Sequence, residues 1–546
     1  MCNINVMSET HVVTNQVPAL EDYNPATCPV LHEALIREGG EWGIDEVHEI
    51  GALGGSRRVR RWGDLADRNV PILRTHDRYG HRIDEVEYDP AYHELMNAAV
   101  THGLHAAPWA DDRPGAHVVR AAKTSVWTPE PGHMCPISMT YAVVPALRHN
   151  PELSAVYEPL LASRVYDPEL AVPASKAGIT AGMSMTEKQG GSDVRAGTTQ
   201  ATPNADGSYT LRGHKWFTSA PMGDIFLVLA QAPGGLSCFF LPRVLPDGSR
   251  NRMHIQRLKD KLGNHGNASS EIEYDDATAW LVGEEGRGVP TIIEMVNLTR
   301  LDCTLGSATS MRNGLTHAVH HAQHRKAFGA YLIDQPLMRN VLADMAVEAE
   351  AATILAMRMA GATDRAVRGD ERESLLRRIG LAAGKYWVCK RATPHAAEAM
   401  ECLGGNGYAE ESGMPRLYRE APLMGIWEGS GNVSALDALR AMATKPECLD
   451  VLFDELSKAR EPRLDAHAIA LKDSLRDPQT LEYRGRKVAE DISLALQGSL
   501  LVRHGHPAVA EAFLATRLGG QWGGAFGTMP TGLDLAPILE RALVKG

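Results

Sequence analysis

The spacing of apolar positions changes more than once along the chain, and those changes divide it. From Tyr92 to about Leu170 apolar residues recur at helical spacing, as in Tyr92, Leu95, Met96 and Val100. This predicts a helical bundle, broken at Pro129–Pro131 and at Pro151. At Ala181 the pattern shortens. Tyr209–Arg212, Ile225–Leu229, Ser237–Leu241 and Ser270–Tyr274 are β-rich runs, separated by turn signals such as Asp206-Gly207, Gly234-Gly235 and Asp247-Gly248. No helical pattern intervenes, so a small, mostly antiparallel β domain is expected over 181–289. Helical periodicity then returns from Pro290 to about Thr444. One helix there is expected to start with Thr393 as N-cap and Pro394 at its first position, and to stop at Gly404-Gly405.

The ends of the chain add two further pieces. Ahead of the bundle lie a Pro/Asn-bearing arm, a short helix over Pro29–Glu38, and a basic knot of Arg57, Arg58, Arg60, Arg61 and Trp62. The knot reads as a solvated turn or as a phosphate or partner contact. After the bundle comes another helical unit, ending in the Gly-rich stretch Gly519–Gly532. The expected architecture is mainly α with a central β domain. Its units are an arm and helical domain (1–180), a β domain (181–289), a helical bundle (290–445) and an extra C-terminal helical domain (446–546). No GxGxxG follows a predicted strand, so a Rossmann nicotinamide site is not expected.

Composition narrows the classes. With 546 residues the chain has room for several structural units. Its net charge of −11, from 56 Lys and Arg against 67 Asp and Glu, argues against a general polyanion-binding surface. The eight cysteines are scattered and form no CxxC pair, so neither a zinc ribbon nor a disulfide framework is expected. That usage fits a reduced, cytoplasmic compartment. Residues 1–15 are polar and lack an apolar signal core. No apolar run reaches the roughly 18 residues that a membrane-spanning helix needs.

Candidate chemistry gathers in two segments. Gly425–Val433 reads Gly-Ile-Trp-Glu-Gly-Ser-Gly-Asn-Val, with one carboxylate, Glu428, between an aromatic ring and a flexible glycine. Upstream, Met185–Val194 carries two adjacent glycines and the hydroxyls of Thr186 and Ser192 beside accessible amides. That suits an edge-on polar ring or a phosphate, although a plain helix-to-strand turn would read the same way. Gly213–Ser219 then sets aromatics and hydroxyls on one short strand. His317, His320, His321 and His324 share a helical face; a surface or inter-subunit helix fits them better than a metal site.

Together with Arg325–Gly329 and Leu403–Tyr408, and in this order, these segments resemble the acyl-CoA dehydrogenase family of flavoproteins over roughly residues 90–445. Within it, Arg257–Asn264, Thr299–Cys303, Pro415–Glu420, Thr14–Pro18 and the extra C-terminal unit are similar to the AidB alkylation-response branch. The resemblance implies bound FAD, an acyl-CoA thioester substrate and a homotetramer. Met185, Thr186, Gly191 and Ser192 would lie against the flavin, with Ser192 also near the CoA arm. Phe217 stands where the family usually has Trp, Thr218 follows it, and Ser219 falls beside flavin N5. Arg325 and Phe328 would reach the FAD of a neighbouring subunit. Gln335 lies one residue closer to Phe328 than the usual family glutamine. Glu401 replaces a common Gln, Gly404 and Gly405 would approach the adenine half, and Trp427, Ser430 and Asn432 would complete the pocket.

Glu428 is the expected base, abstracting the α proton as β hydride leaves for flavin; the acyl group is expected to be short or branched. The base of some other branches maps to Thr299, which cannot serve. Arg440 either faces Glu428 across the site or anchors a helix. The AidB likeness implies a different role as the alternative: DNA binding by the C-terminal unit in an alkylation response, with dehydrogenation vestigial. Residues 451–546 hold 12 Lys/Arg and 12 Asp/Glu, which gives that role no support from charge.

Overall fold

The computed structural model describes residues 10–544; the first nine residues of the polar arm and the last two residues of the chain lie outside it. The N-terminal part comprises α1 (Pro29–Arg37), α2 (Ile44–Gly55), α3 (Arg57–Arg68), a hairpin of β1 (Ile72–His76) and β2 (Arg82–Glu87), then α4 (Pro90–Thr101), α5 (Ala116–Val126), α6 (Met134–Leu147) and α7 (Pro151–Ala162). The breaks expected at Pro129–Pro131 and Pro151 fall between α5 and α6 and at the first position of α7.

The basic knot is a helix, not a turn. Ser56 caps α3 by accepting from the Val59 amide at 3.3 Å. Val59, Gly63 and Ala66 recur on one buried face and leave Arg57, Arg58 and Arg61 exposed, with Arg60 half-buried at its border. The runs of charge hid that period. Close helix approach is built in at Gly55, where a Cβ would sit 1.5 Å from the Tyr23 carbonyl oxygen.

The β domain contains β3 (Ala181–Ser184), β4 (Gln200–Pro203), β5 (Tyr209–Ser219), β6 (Ile225–Ala232), β7 (Gly235–Pro242), β8 (Met253–Leu258) and β9 (Ser269–Val282). β6 pairs antiparallel with β7, β7 with β9, β9 with β5, and β5 with β4, which returns to β6. The sheet therefore closes on itself, with Leu211, Phe226, Phe239 and Ile272 inside. β3 joins β6 in parallel, an exception to the antiparallel pattern. β3 and β4 are four residues each, too short to show an alternation in sequence.

A second helical layer follows: α8 (Gly288–His324), the short pair β10 (Lys326–Ala327) and β11 (Ala330–Tyr331), α9 (Pro336–Val367), α10 (Glu371–Cys402), α11 (Met414–Met424) and α12 (Gly431–Thr444). Pro394 does not begin a helix; α10 runs through it. Both Pro394 and Lys390 one turn earlier are exposed, so the missing amide falls on the solvent side, while buried His395 and Ala396 hold the other side. The C-terminal unit adds α13 (Glu447–Ser457), α14 (Pro462–Ser474), α15 (Gly485–His504), α16 (Pro507–Phe513) and α17 (Leu535–Ala542). One apolar core joins α8, α9 and α10 to helices on both sides, including α15 through Ile492 and Leu496. The Gly-rich stretch folds back on α9, where Asp344 accepts from the Gly527 amide at 2.9 Å. Among the described residues no helix is long and apolar enough to cross a membrane.

Candidate active site

Glu428 sits in the turn between α11 and α12 with φ +57, a left-handed conformation uncommon for a residue with a side chain. Three cations and a hydroxyl fix it. The Lys385 ammonium, buried on α10, donates to the carbonyls of Trp427 at 2.8 Å and Gly429 at 2.5 Å, one on each side of Glu428. Arg300 on α8 donates Nε to the Glu428 carbonyl at 2.9 Å and Nη1 to Asp437 Oδ2 at 2.6 Å. Arg378 completes that network on the same carboxylate of α12. The backbone is thereby held from two helices, and the carboxylate is left to project into a cavity between α6, α8 and α11.

There Glu428 Oε2 accepts from Thr299 Oγ1 at 2.7 Å. Burial pushes the Glu428 carboxyl up from its ordinary value, opposed by the Thr299 hydrogen bond and by Lys385 and Arg300. A carboxylate raised but still hydrogen-bonded is suited to accept a proton from a weak carbon acid. Across the cavity Cys135 stands between Glu428 and Ser219; burial lifts its thiol to about 12, so it stays protonated. Asn267 donates Nδ2 to Ser219 Oγ at 3.2 Å, and its Oδ1 is buried without a partner.

The expected site residues of the β domain do not line this cavity themselves; they are tied to one another on their own side of Cys135. Lys215, fully buried, pairs with Glu187 at 2.8 Å, and the Trp216 amide donates to the Thr186 carbonyl at 2.8 Å. These contacts tie the Met185–Ser192 segment to β5. Gly191 passes so close to Thr186 that a Cβ would lie 2.4 Å from its hydroxyl. Thr218 is buried, Phe217 beside it is 51% exposed, and Met185 is half-buried. Ser192 is on the surface of this segment.

Other expected site residues lie apart. Phe328 is fully exposed with φ +52, and Arg325 donates to the Asn15 carbonyl at 2.6 Å. Gln335 reaches back to the Ala327 carbonyl at 3.2 Å. Glu401 is exposed, and a Cβ added at Gly404 or Gly405 would meet no atom within 4 Å. Within one chain none of this group lines the Glu428 cavity. Ser430 precedes α12, and Asn432 on its first turn accepts from Arg486 of the C-terminal unit at 2.7 Å. Arg440 does not face Glu428: it is exposed and lies 3.9 Å from Asp437, on the outer side of α12. The four histidines of α8 gather no metal-like cluster among the described residues; His320 meets the Pro18 carbonyl and His324 the His320 carbonyl.

The sequence reading missed Thr299 as a partner of Glu428, and Arg300, Lys385, Arg378 and Asp437 as its support. A signal existed for Thr299. If two branches place a base at either position, both positions must face one reacting carbon and so each other. Lys385 carries no such signal.

The family model for the adaptive response protein AidB N-terminal domain matches residues 15–168. The acyl-CoA dehydrogenase middle-domain and C-terminal-domain models match 182–277 and 286–443. The chain is 44% identical over 519 residues to the putative acyl-CoA dehydrogenase AidB of Escherichia coli (strain K12), covering 93% of this chain and 95% of that one. It is 30% identical over 484 residues to acyl-CoA dehydrogenase family member 11 of Caenorhabditis elegans, covering 82% and 78%. The crystal structure of Caenorhabditis elegans ACDH-11 in complex with C11-CoA superposes with a TM-score of 0.84 at 27% identity, covering 93% of each chain. From its N-terminal helices through the closed sheet to the second helical layer, the chain belongs to the acyl-CoA dehydrogenase family, on its AidB branch.

Proposed function

We propose that this chain is an FAD-dependent acyl-CoA dehydrogenase in which Glu428 removes the α proton of an acyl thioester. The observation that carries the reading is the Glu428 carboxylate itself: clamped in its backbone, raised by burial, and open to a deep cavity. The residues present fit a flavin. Asn267 Oδ1 is a buried acceptor with no partner beside Ser219, and Phe217 offers an apolar face next to buried Thr218. Met185, Thr186, Gly191, Ser192, Ser219 and Trp427 would hold the ring system and its neighbours. Bound FAD supplies the acceptor for the hydride that leaves the β carbon. Glu428 Oε2 takes the α proton, and Thr299 Oγ1 steadies the carboxylate until it does. An acyl group filling the cavity would displace water from around that oxygen.

Arg325, Phe328, Gln335, Glu401, Gly404 and Gly405 support a homotetramer in which a neighbour completes the cofactor site. They make an accessible surface with exposed apolar groups and unfilled glycines, outside the chain's own cavity. DNA binding in an alkylation response has less support in this chain. The cations of the C-terminal unit are largely neutralised, as in Arg463 with Glu511, Lys487 with Asp491, Arg503 with Glu455 and Arg541 with Glu33.

The direct test is flavin bleaching by a panel of acyl-CoA thioesters, short and branched ones included. Bleaching with at least one thioester is expected, falling by about two to four orders of magnitude in Glu428→Gln. A wild-type flavin that no thioester bleaches, or a variant that bleaches equally fast, would remove the reading.

A further inference from the structure

The cavity does not end at the reacting carbon. Along α8 its wall runs from Thr299 to His317, a span of 18 helical residues and so about 27 Å. Along α11 and the turn after it, the order from the far end is Gly413, Arg416, Glu420, Met424 and Glu428. This wall is polar to an unusual degree for an alkyl channel. Ser307 Oγ, Ser310 Oγ, Thr124 Oγ1, Glu420 Oε2 and Trp427 Nε1 all line it, and each is buried without a hydrogen-bond partner. Water can serve these groups while the cavity is empty, but a plain hydrocarbon that displaced it would leave them bare.

The far end holds cations. Arg60 of α3 lines the cavity and, among the described residues, makes no ion pair and no side-chain hydrogen bond. Arg57 and Arg58 of the same helix are engaged, with Glu21 and over the Trp62 ring, and Arg61 is exposed to solvent and does not line the cavity. Asp64 and Glu21 lie within electrostatic reach of Arg60, but Asp64 is bonded to Arg416 at 2.9 Å and Glu21 to Arg57. His317 closes this end as a neutral ring, since burial and the two guanidiniums hold it down to about 3.

We propose that the acyl group accepted here ends in a carboxylate bound by Arg60, so that the substrate class is a long dicarboxylic acid joined at one end to CoA. The proposal rests on the acyl-CoA reading of the Glu428 site. An unpaired, partly buried guanidinium lining a cavity is matched best by a carboxylate, whose two oxygens meet its planar fork. Chain length follows from the order of groups along the wall. A short dicarboxylic acyl group would set its free carboxylate in the middle of the cavity, near Glu130 and Glu420. Glu130 is fully buried and held in its charged form by His133 and nearby amides, so a second anion there is repelled. A long one carries its carboxylate past them to Arg60.

The test is equilibrium binding, by calorimetry on the flavin-loaded protein, of thioester ladders of increasing length ending in methyl, hydroxyl or carboxylate. Among long chains the carboxylate series is expected to bind at least about tenfold tighter than methyl, equivalent to about 1.4 kcal/mol. Arg60→Gln is expected to collapse that ratio towards one, and Arg60→Lys, which keeps the charge but not the fork, to retain part of it. Equal binding of carboxylate and methyl in the wild type, a ratio that survives Arg60→Gln, or a hydroxyl series as tight as the carboxylate one, overturns the proposal. If methyl-terminated thioesters alone bind, only this inference falls. If no thioester binds, the acyl-CoA reading falls with it.

Discussion

At the scale of single residues, the site turns on how one carboxylate is kept both strained and basic. A non-glycine residue in the left-handed region costs roughly 1–2 kcal/mol, and here Lys385 and Arg300 hold it there through carbonyl oxygens. The carboxylate then answers to Thr299. Because burial raises Glu428, its charged form is present only above that raised value, and kcat/KM is expected to climb as pH rises through it. The Thr299 hydroxyl favours the charged form, so Thr299→Val is expected to move this limb to higher pH while the alkaline side stays put. An unshifted limb in that variant would show that the proton is taken by another group. Glu428 was legible in sequence because its chemistry has few substitutes. Its supports were not, since Lys385 reaches the turn from a helix more than forty residues away and nothing local marks it.

At the scale of elements, α8, α10 and α12 are locked beneath the site by charge. Asp437 accepts from Arg300 and from both ends of the Arg378 fork, with Asp437 and Arg300 almost entirely out of water. Asp437→Asn leaves two guanidiniums facing an uncharged group. A loss of about 3 kcal/mol or more is expected, read as a lower midpoint in thermal or denaturant unfolding. A variant that unfolds like the wild type would mean the arginines find other partners. Element type was legible where apolar residues recur at helical spacing over several turns, as in α4. It was obscured in α3, where four arginines mask a narrow buried stripe, and at Pro394, where local chemistry signals a start but burial of the opposite side carries the helix through. The closing of the sheet depends on the pairings of β4 with β6 and of β7 with β9, which no local pattern encodes.

At the scale of the whole molecule, the proposed homotetramer would be carried by the exposed residues around β10 and β11. Phe328 touches no core and is fully exposed in one chain. Phe328→Glu is therefore expected to change the stability of the isolated fold by no more than about 0.5 kcal/mol, while lowering the particle mass in light scattering and weakening flavin retention. An unchanged mass would place the assembly surface elsewhere.

The C-terminal unit bears on the active site through α10. One face of this helix supplies Lys385 beneath the Glu428 turn, and another packs into the core that includes Ile492 and Leu496 of α15. Arg486 of the same unit holds Asn432, four residues past Glu428. The appended helices are thus not a module that can be exchanged or trimmed at will. Cutting the chain back at Thr444 would turn an apolar side of α10 to water and loosen the lysine that holds the Glu428 turn, so this unit and the candidate site stand or fall as one inheritance.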